Sequence, residues 1–172
     1  MTRNRQTILF ILSILFELTF DYKMVYLTKE HSKQIEAHGE KTYPYECGGM
    51  LIGRFENGQK TVVELLPMEN AASQAEQHNR VLITPKEVLR AERYAREKRL
   101  DVVGYYHSHP DHPAVPSQFD LDHALPVWTY IIVSVREGQA ADLLAWEMEH
   151  DRSKFNAEEI FISKKELFAA DA

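Results

Sequence analysis

Residues 105–120 read YYHSHPDHPAVPSQFD, gathering three histidines, three prolines and two aspartates in one short stretch. His107 and His109 lie two apart. On a strand that spacing puts both imidazoles on one side, within reach of a single ion. A zinc ion takes histidine nitrogens at about 2.0–2.1 Å, and a catalytic zinc usually keeps three protein ligands and an open position. The third ligand has to come from another element. Asp120, three residues after Ser117 at the expected start of a short helix, is a candidate, with Asp111, His112, Asp122 and His123 as rivals. Asp122 sits about 200° around a helix from Asp120, so the two cannot both face the ion. His112, between prolines, reads as solvated. Pro110, Pro113 and Pro116 restrict the intervening backbone and limit the entropy lost on holding helix and strand together. Ser117-x-x-Asp120 is equally a capping pattern, which by itself would hold Asp120 in the first helical turn.

A second group of residues lies upstream in YECGGMLIG. Glu46, just before an apolar strand, could take a proton from a metal-activated water. The plainer reading is an exposed glutamate at a strand end. Cys47 suits a small buried core position. As a nucleophile paired with His107 it would lack the helix start or cationic run that lowers a thiol pKa.

These residues need elements to carry them. Thr28 can cap a helix running to about His38, with Gly39 as its terminator. GGMLIGRF, Asn57-Gly58 and KTVVELLP form a hairpin pattern. TPKEVLRAERYAREKRL is the clearest helix: Thr84 caps, Pro85 fits the first turn and Glu87 completes a capping box. LDVVGYYHSH reads as the strand entering the cluster, Ser117 starts a short helix that Pro126 ends, and TYIIVSV and ADLLAWEM are strands joined at Glu137-Gly138. FNAEEIFISKKELF is ambiguous between strand and helix. Hairpin-paired strands interleaved with helices indicate an α/β domain with a mixed sheet.

The whole chain sets outer bounds. Its 172 residues suit a single domain, and 26 acidic against 20 basic residues give a net charge of −6. The densest basic group, RAERYAREKR, is interrupted by acids, so nucleic acid is not an expected partner. One cysteine excludes an internal disulfide and fits a reducing compartment, making a cytoplasmic location the expectation. At the N-terminus an apolar run from Ile8 to Phe16 follows Arg3 and Arg5, broken by Ser13 and stopped by Glu17. A membrane-spanning helix needs about 20 apolar residues, and no small-x-small cleavage site follows. Membrane association is therefore not expected. Residues 1–23 are set apart as an extension, either an added helix or a start placed too early with Met24 as the true one, and residues 24–172 as the domain.

HSHPDHPAVPSQFD is similar to the signature of the JAMM (MPN+) zinc metalloproteases: His-x-His-Pro, six residues, then Ser-x-x-Asp. ECGGMLIG matches that family's Glu-x-x-Gly-x-x-x-Gly pattern through Glu46, Gly49 and Gly53. The resemblance covers roughly residues 24–150. It implies a single MPN (JAMM) domain, a curved mixed β-sheet flanked by helices and akin to cytidine deaminases. His107, His109 and Asp120 would bind one zinc ion per chain, with water in the fourth position. Glu46 would be the general base, and Ser117 would position the water or stabilise the oxyanion. The implied activity is a peptidase or isopeptidase cutting after the C-terminal glycine tail of a ubiquitin-like protein. Only eight residues separate Asp120 from TYIIVSV, leaving little room there for the insertion of ubiquitin-chain-cutting members. The chain thus resembles the short prokaryotic type, which acts on ubiquitin-like sulfur-carrier proteins. Two other readings stand beside this one, a non-catalytic MPN scaffold that binds partners and a Cys47-dependent hydrolase.

Overall fold

A computed structural model describes residues 23–56 and 58–163. Residues 1–22 of the N-terminal extension, Asn57 of the hairpin turn and the end of the closing segment lie outside them. β1 (Met24–Thr28) runs directly into α1 (Lys29–Thr42). The Thr28 hydroxyl accepts from the His31 N–H at 3.1 Å, while His31 Nδ1 accepts from the Thr28 N–H at 3.3 Å, a capping box closed by a histidine. The helix does not stop at Gly39 as its sequence suggests but continues to Thr42. Gly39 is there for packing: a Cβ on it would lie 2.8 Å from Val135 Cγ2 and 3.3 Å from Ser108 Cβ. The glycine lets α1 lie directly on the strands that carry the histidine cluster.

The predicted hairpin is present as β2 (Gly48–Glu56) and β3 (Gln59–Met68), with Gly58 at a φ of 78°. α2 (Pro85–Glu97) follows, with the predicted Thr84/Glu87 capping box. β4 (Asp101–Pro110) pairs antiparallel with β2 on its other side, and after α3 (Gln118–His123) comes β5 (Thr129–Arg136), parallel to β4. β6 (Gln139–Met148) and β7 (Phe155–Ser163) complete the sheet. The segment left ambiguous in the sequence is therefore a strand over its described part. β1, which the apolar pattern did not single out, pairs parallel with both β3 and β7. The expected mixed, curved sheet thus curls until it closes, in the order β1-β3-β2-β4-β5-β6-β7.

Two apolar layers hold this sheet. Ile35 of α1 packs among Val25, Leu27, Leu51, Tyr106, Ile131 and Val133, all essentially without solvent contact. On the opposite face Ala91 and Ala95 of α2 pack on Met50, Ile52 and Val102. Between Leu51 and Ile52 the β2–β4 register shifts by one residue. Beyond it the side chains alternate cleanly: Tyr106 and Ser108 face α1, while Tyr105, His107 and His109 face the other way. One charged cluster is also buried. Lys60, 2% exposed, ion-pairs with Glu147 and lies 3.3 Å from Glu158, whose other oxygen accepts from the Thr129 hydroxyl at 2.7 Å.

Candidate functional site

β4 delivers the two histidines as the strand period predicts. His107 Nε2 and His109 Nε2 are 3.0 Å apart, and both rings are buried. His109 Nδ1 lies 2.8 Å from the Pro113 carbonyl. A carbonyl only accepts, so Nδ1 carries a proton, and in the neutral ring the Nε2 lone pair faces the cluster. Tyr105 stacks on His107 with 5.4 Å between ring centroids and 19° between planes. A Cβ on Gly48 would fall 2.4 Å from the Tyr105 hydroxyl, so the glycine makes room for the ring that backs the ligand pair.

The proline-rich loop between the two ligand-bearing pieces is pinned at several points. Asp111 accepts from the Glu137 N–H at 2.9 Å and from the Tyr43 hydroxyl at 2.8 Å. The His112 carbonyl accepts from the Ser134 hydroxyl at 2.7 Å, and the Ala114 carbonyl from Trp146 Nε1 at 2.9 Å. Asp111 and the His112 side chain are exposed and lie apart from the cluster of ligand atoms. The same holds for Asp122, which accepts from Gln118, and for His123, placed beside the Phe119 carbonyl.

Asp120 closes the cluster. Its Oδ1 is 3.2 Å from His107 Nε2 and its Oδ2 3.8 Å from His109 Nε2. The capping and ligand readings of Ser117-x-x-Asp120 turn out to be compatible. The Ser117 N–H and hydroxyl each donate to Oδ2 at 2.6 Å, and the Asp120 N–H donates back to the hydroxyl at 3.2 Å. One carboxylate oxygen is thus held by the cap while the other faces His107. Burial pushes the Asp120 carboxyl up, but His107, His109 and Ser117 outweigh it and hold the group well below its ordinary range. Burial pulls His109 down, and its contacts with Asp120 and Pro113 reverse the sign. Among the described residues, these three side chains form the single group of ligand atoms within 4.8 Å of one another. Pro113 holds His109 and Ser117 holds Asp120 by hydrogen bonds from outside the cluster, whereas His107, whose Nδ1 has no partner among the described residues, is backed by the stacked Tyr105 ring. Two imidazole nitrogens and a carboxylate oxygen are a donor set that fits a metal ion such as zinc.

Glu46 stands beside this cluster because β2 begins opposite it, Gly48 pairing with His107. The pairing extends one residue outward: the Ser108 N–H donates to the Cys47 carbonyl at 3.0 Å, and the Cys47 N–H to the Ser108 hydroxyl at 2.9 Å. Glu46 is 6% exposed, not the solvated strand-end residue of the plainer reading. Burial raises its carboxyl to about 7, His107, His109 and Arg80 pull it down, and Asp120 adds to the rise. Burial also pushes the Cys47 thiol up, away from the nucleophilic thiolate.

Three residues around Glu46 were not recognised from sequence. The Glu46 N–H donates to the Gln77 carbonyl at 2.7 Å, and its carbonyl accepts from Asn70 Nδ2 at 3.1 Å. Arg80 lies 4.8 Å over the ring of Phe119 in α3. All three belong to residues 69–84, the connection from β3 to α2, whose length without helix or strand was the one available signal. Next to Asp120 the surface opens into a cavity of about 180 Å³ lined by Met50, Leu82, Tyr105, Phe119 and Trp128.

This arrangement has relatives. A desampylase of Haloferax volcanii is 34% identical over 92 residues, a match spanning 53% of this chain and 63% of that relative, less than two thirds of its length. The solution structure of a protein from Desulfitobacterium hafniense superposes with a TM-score of 0.72 at 26% identity, covering 83% of this chain and 94% of that one. A solution structure from Salinibacter ruber gives a TM-score of 0.62 at 40% identity, covering 84% and 93%. The family model for prokaryotic homologs of the JAB domain matches residues 28–149, from the cap of α1 to the end of β6, and the chain belongs to that family.

Proposed function

We propose that the protein is a zinc-dependent peptidase or isopeptidase that hydrolyses the bond after the C-terminal glycine tail of a ubiquitin-like or sulfur-carrier protein. The observation that carries this reading is the pairing of a three-donor cluster with a buried carboxylate from a separate segment, just ahead of β2. A solvated histidine loop or a binding scaffold has no need of Glu46, whose burial is unfavourable for an ionised group. The similarity to a desampylase supports the substrate class. Zinc held by His107, His109 and Asp120 would supply Lewis acidity, acidifying water and polarising the scissile carbonyl.

The chain's own residues do the rest. Ser117 fixes the Asp120 rotamer through its N–H and hydroxyl. The oxyanion role that the motif implies for Ser117 would require its exposed hydroxyl to exchange Asp120 for substrate. Burial raises the Glu46 carboxyl to about 7 in the metal-free site, and a cation bound beside it would favour the ionised form that accepts a proton. Glu46 can accept a proton from attacking water and return it to the leaving amine. The largely apolar cavity beside Asp120 offers a substrate side chain a place to bind at one flank of the site.

The test uses a ubiquitin-like protein whose Gly-Gly tail is amide-linked to an aminocoumarin reporter. The expected results are about one zinc per chain by elemental analysis, cleavage after the second glycine, and loss of cleavage with a chelator. Glu46→Gln should keep the metal and lose at least about 100-fold in turnover, the scale of a general base. Cys47→Ala should retain activity. A metal-free protein that still cleaves, or an active Glu46→Gln variant, would overturn the mechanism.

A further inference from the structure

Glu46 precedes the first residue of β2, so its main chain is not fixed by the regular ladder. Among the described residues no hydrogen bond from the protein reaches its carboxylate. What holds it is residues 69–84. Both of its main-chain polar groups are bonded there, the N–H to the Gln77 carbonyl and the carbonyl to Asn70 Nδ2. Asn70 is at the centre of that segment. Its Nδ2 also donates to the Arg80 carbonyl at 2.9 Å, and its Oδ1 accepts from the Ala72 N–H at 3.0 Å and the Leu82 N–H at 3.1 Å. Four bonds saturate the amide. Gln77 reinforces the arrangement, its Nε2 donating to the Asn70 and Ala72 carbonyls at 3.3 and 3.0 Å. The far end of the segment reaches α3, where Arg80 covers Phe119, the neighbour of Asp120.

We propose that Asn70 is a positioning residue for Glu46: its amide ties residues 69–84 to the Glu46 main chain and so sets where the carboxylate stands relative to His107, His109 and Asp120. This rests on the assignment of Glu46 as the base. A side chain that merely folded its own loop would need only the bonds to Ala72, Arg80 and Leu82. The additional bond to Glu46, 24 residues away in sequence, is what gives it a hold on the site.

Asn70→Asp separates the two roles. The aspartate keeps an acceptor for Ala72 and Leu82 but turns an anion, in place of a donor, toward the carbonyls of Glu46 and Arg80. With the aminocoumarin conjugate, kcat should fall by about 10-fold or more while KM stays within about twofold, the pattern of a contact that matters to the transition state and not to binding. Zinc content should be unchanged, because no ligand is touched. Amide exchange of the peptide carrying Glu46 should accelerate about 10-fold, as expected when a local restraint is lost. Faster exchange with unchanged kcat would overturn the proposal, and so would unchanged exchange. If Asn70→Asp does not fold, the parent protein still decides. Its Glu46 amide should exchange in step with the Ala72 and Leu82 amides, and a Glu46 amide exchanging with the β2 core instead refutes the tie. Glu46→Gln measured alongside distinguishes the failures. Full activity there removes the base assignment whatever Asn70 does, whereas an inactive Glu46→Gln with a fully active Asn70→Asp removes only the positioning role.

Discussion

Replacing Glu46 with glutamine removes a charge that the fold disfavours, and the stability gained follows from the site. Burial raises the Glu46 carboxyl from its ordinary 4.5 to about 7. In the unfolded chain the group has its ordinary affinity, so between these values the folded protein holds the extra proton. Stability therefore falls as pH rises through the window and levels off above it. At about 1.4 kcal/mol per pH unit, full ionisation costs on the order of 3 kcal/mol. Glutamine has no charge to desolvate. Metal-free Glu46→Gln should thus exceed the metal-free parent by up to about 3 kcal/mol near pH 8, and by about 1 kcal/mol or less near pH 5. Urea denaturation in the presence of a chelator, run at both pH values, measures the difference. Glu46 also raises the proton affinity of His109, so its loss disfavours protonated His109 and narrows the gap further on acidification. Equal stability near pH 8, or a gap that does not shrink on acidification, would refute the claim that burial sets the Glu46 proton affinity. A confirmed gap would mean that the site retains its carboxylate at the expense of the fold.

Two further substitutions test the frame that holds the site. Lys60→Met leaves Glu147 and Glu158 without their shared buried cation and should cost about 3–5 kcal/mol in urea denaturation; a loss below about 1 kcal/mol would show that the pair is effectively solvated. Gly39→Ala forces a methyl against Val135 and should lower stability by about 1–3 kcal/mol. Were Gly39 simply a helix residue with free space around it, the same change would raise stability by about 1 kcal/mol.

The cluster was legible because its parts are local. His107 and His109 share a face by strand period alone, and Ser117 caps the helix that presents Asp120 on the next element of the chain. What sequence misjudged depends on distant partners. A glycine after a helical pattern reads as a stop, yet α1 continues because Gly39 fits under Val135 and Ser108. β1 is five residues long and gives way at once to the α1 cap, so its strand character comes from β3 and β7 and not from its own pattern. Lys60 resembles any exposed hairpin lysine until β6 and β7 supply its carboxylates. Asn70 and Gln77 look like ordinary loop residues because both bond the main chain of Glu46, Gln77 through its own carbonyl and Asn70 through its amide, and a distant main-chain partner leaves no pattern in the sequence.

The parallel pairing of β1 with β7 has a consequence for how the chain is made. Residues 24–28 leave the ribosome first among the described strands, yet their partners at residues 159–163 emerge last. The hairpin of β2 and β3, β4 and even the cluster of His107, His109 and Asp120 can assemble before the seam exists. Until β7 arrives, β1 and β6 each keep an unpaired edge, the kind of surface on which nascent chains stick to one another. Lys60 lies beside that seam, paired with Val25 of β1, and meets Glu158 only when β7 docks. Dehydration of the buried charges is therefore deferred to the final closure, a non-local step of the kind that slows folding. The interval between synthesis of β6 and docking of β7 is therefore when both edges are open at once.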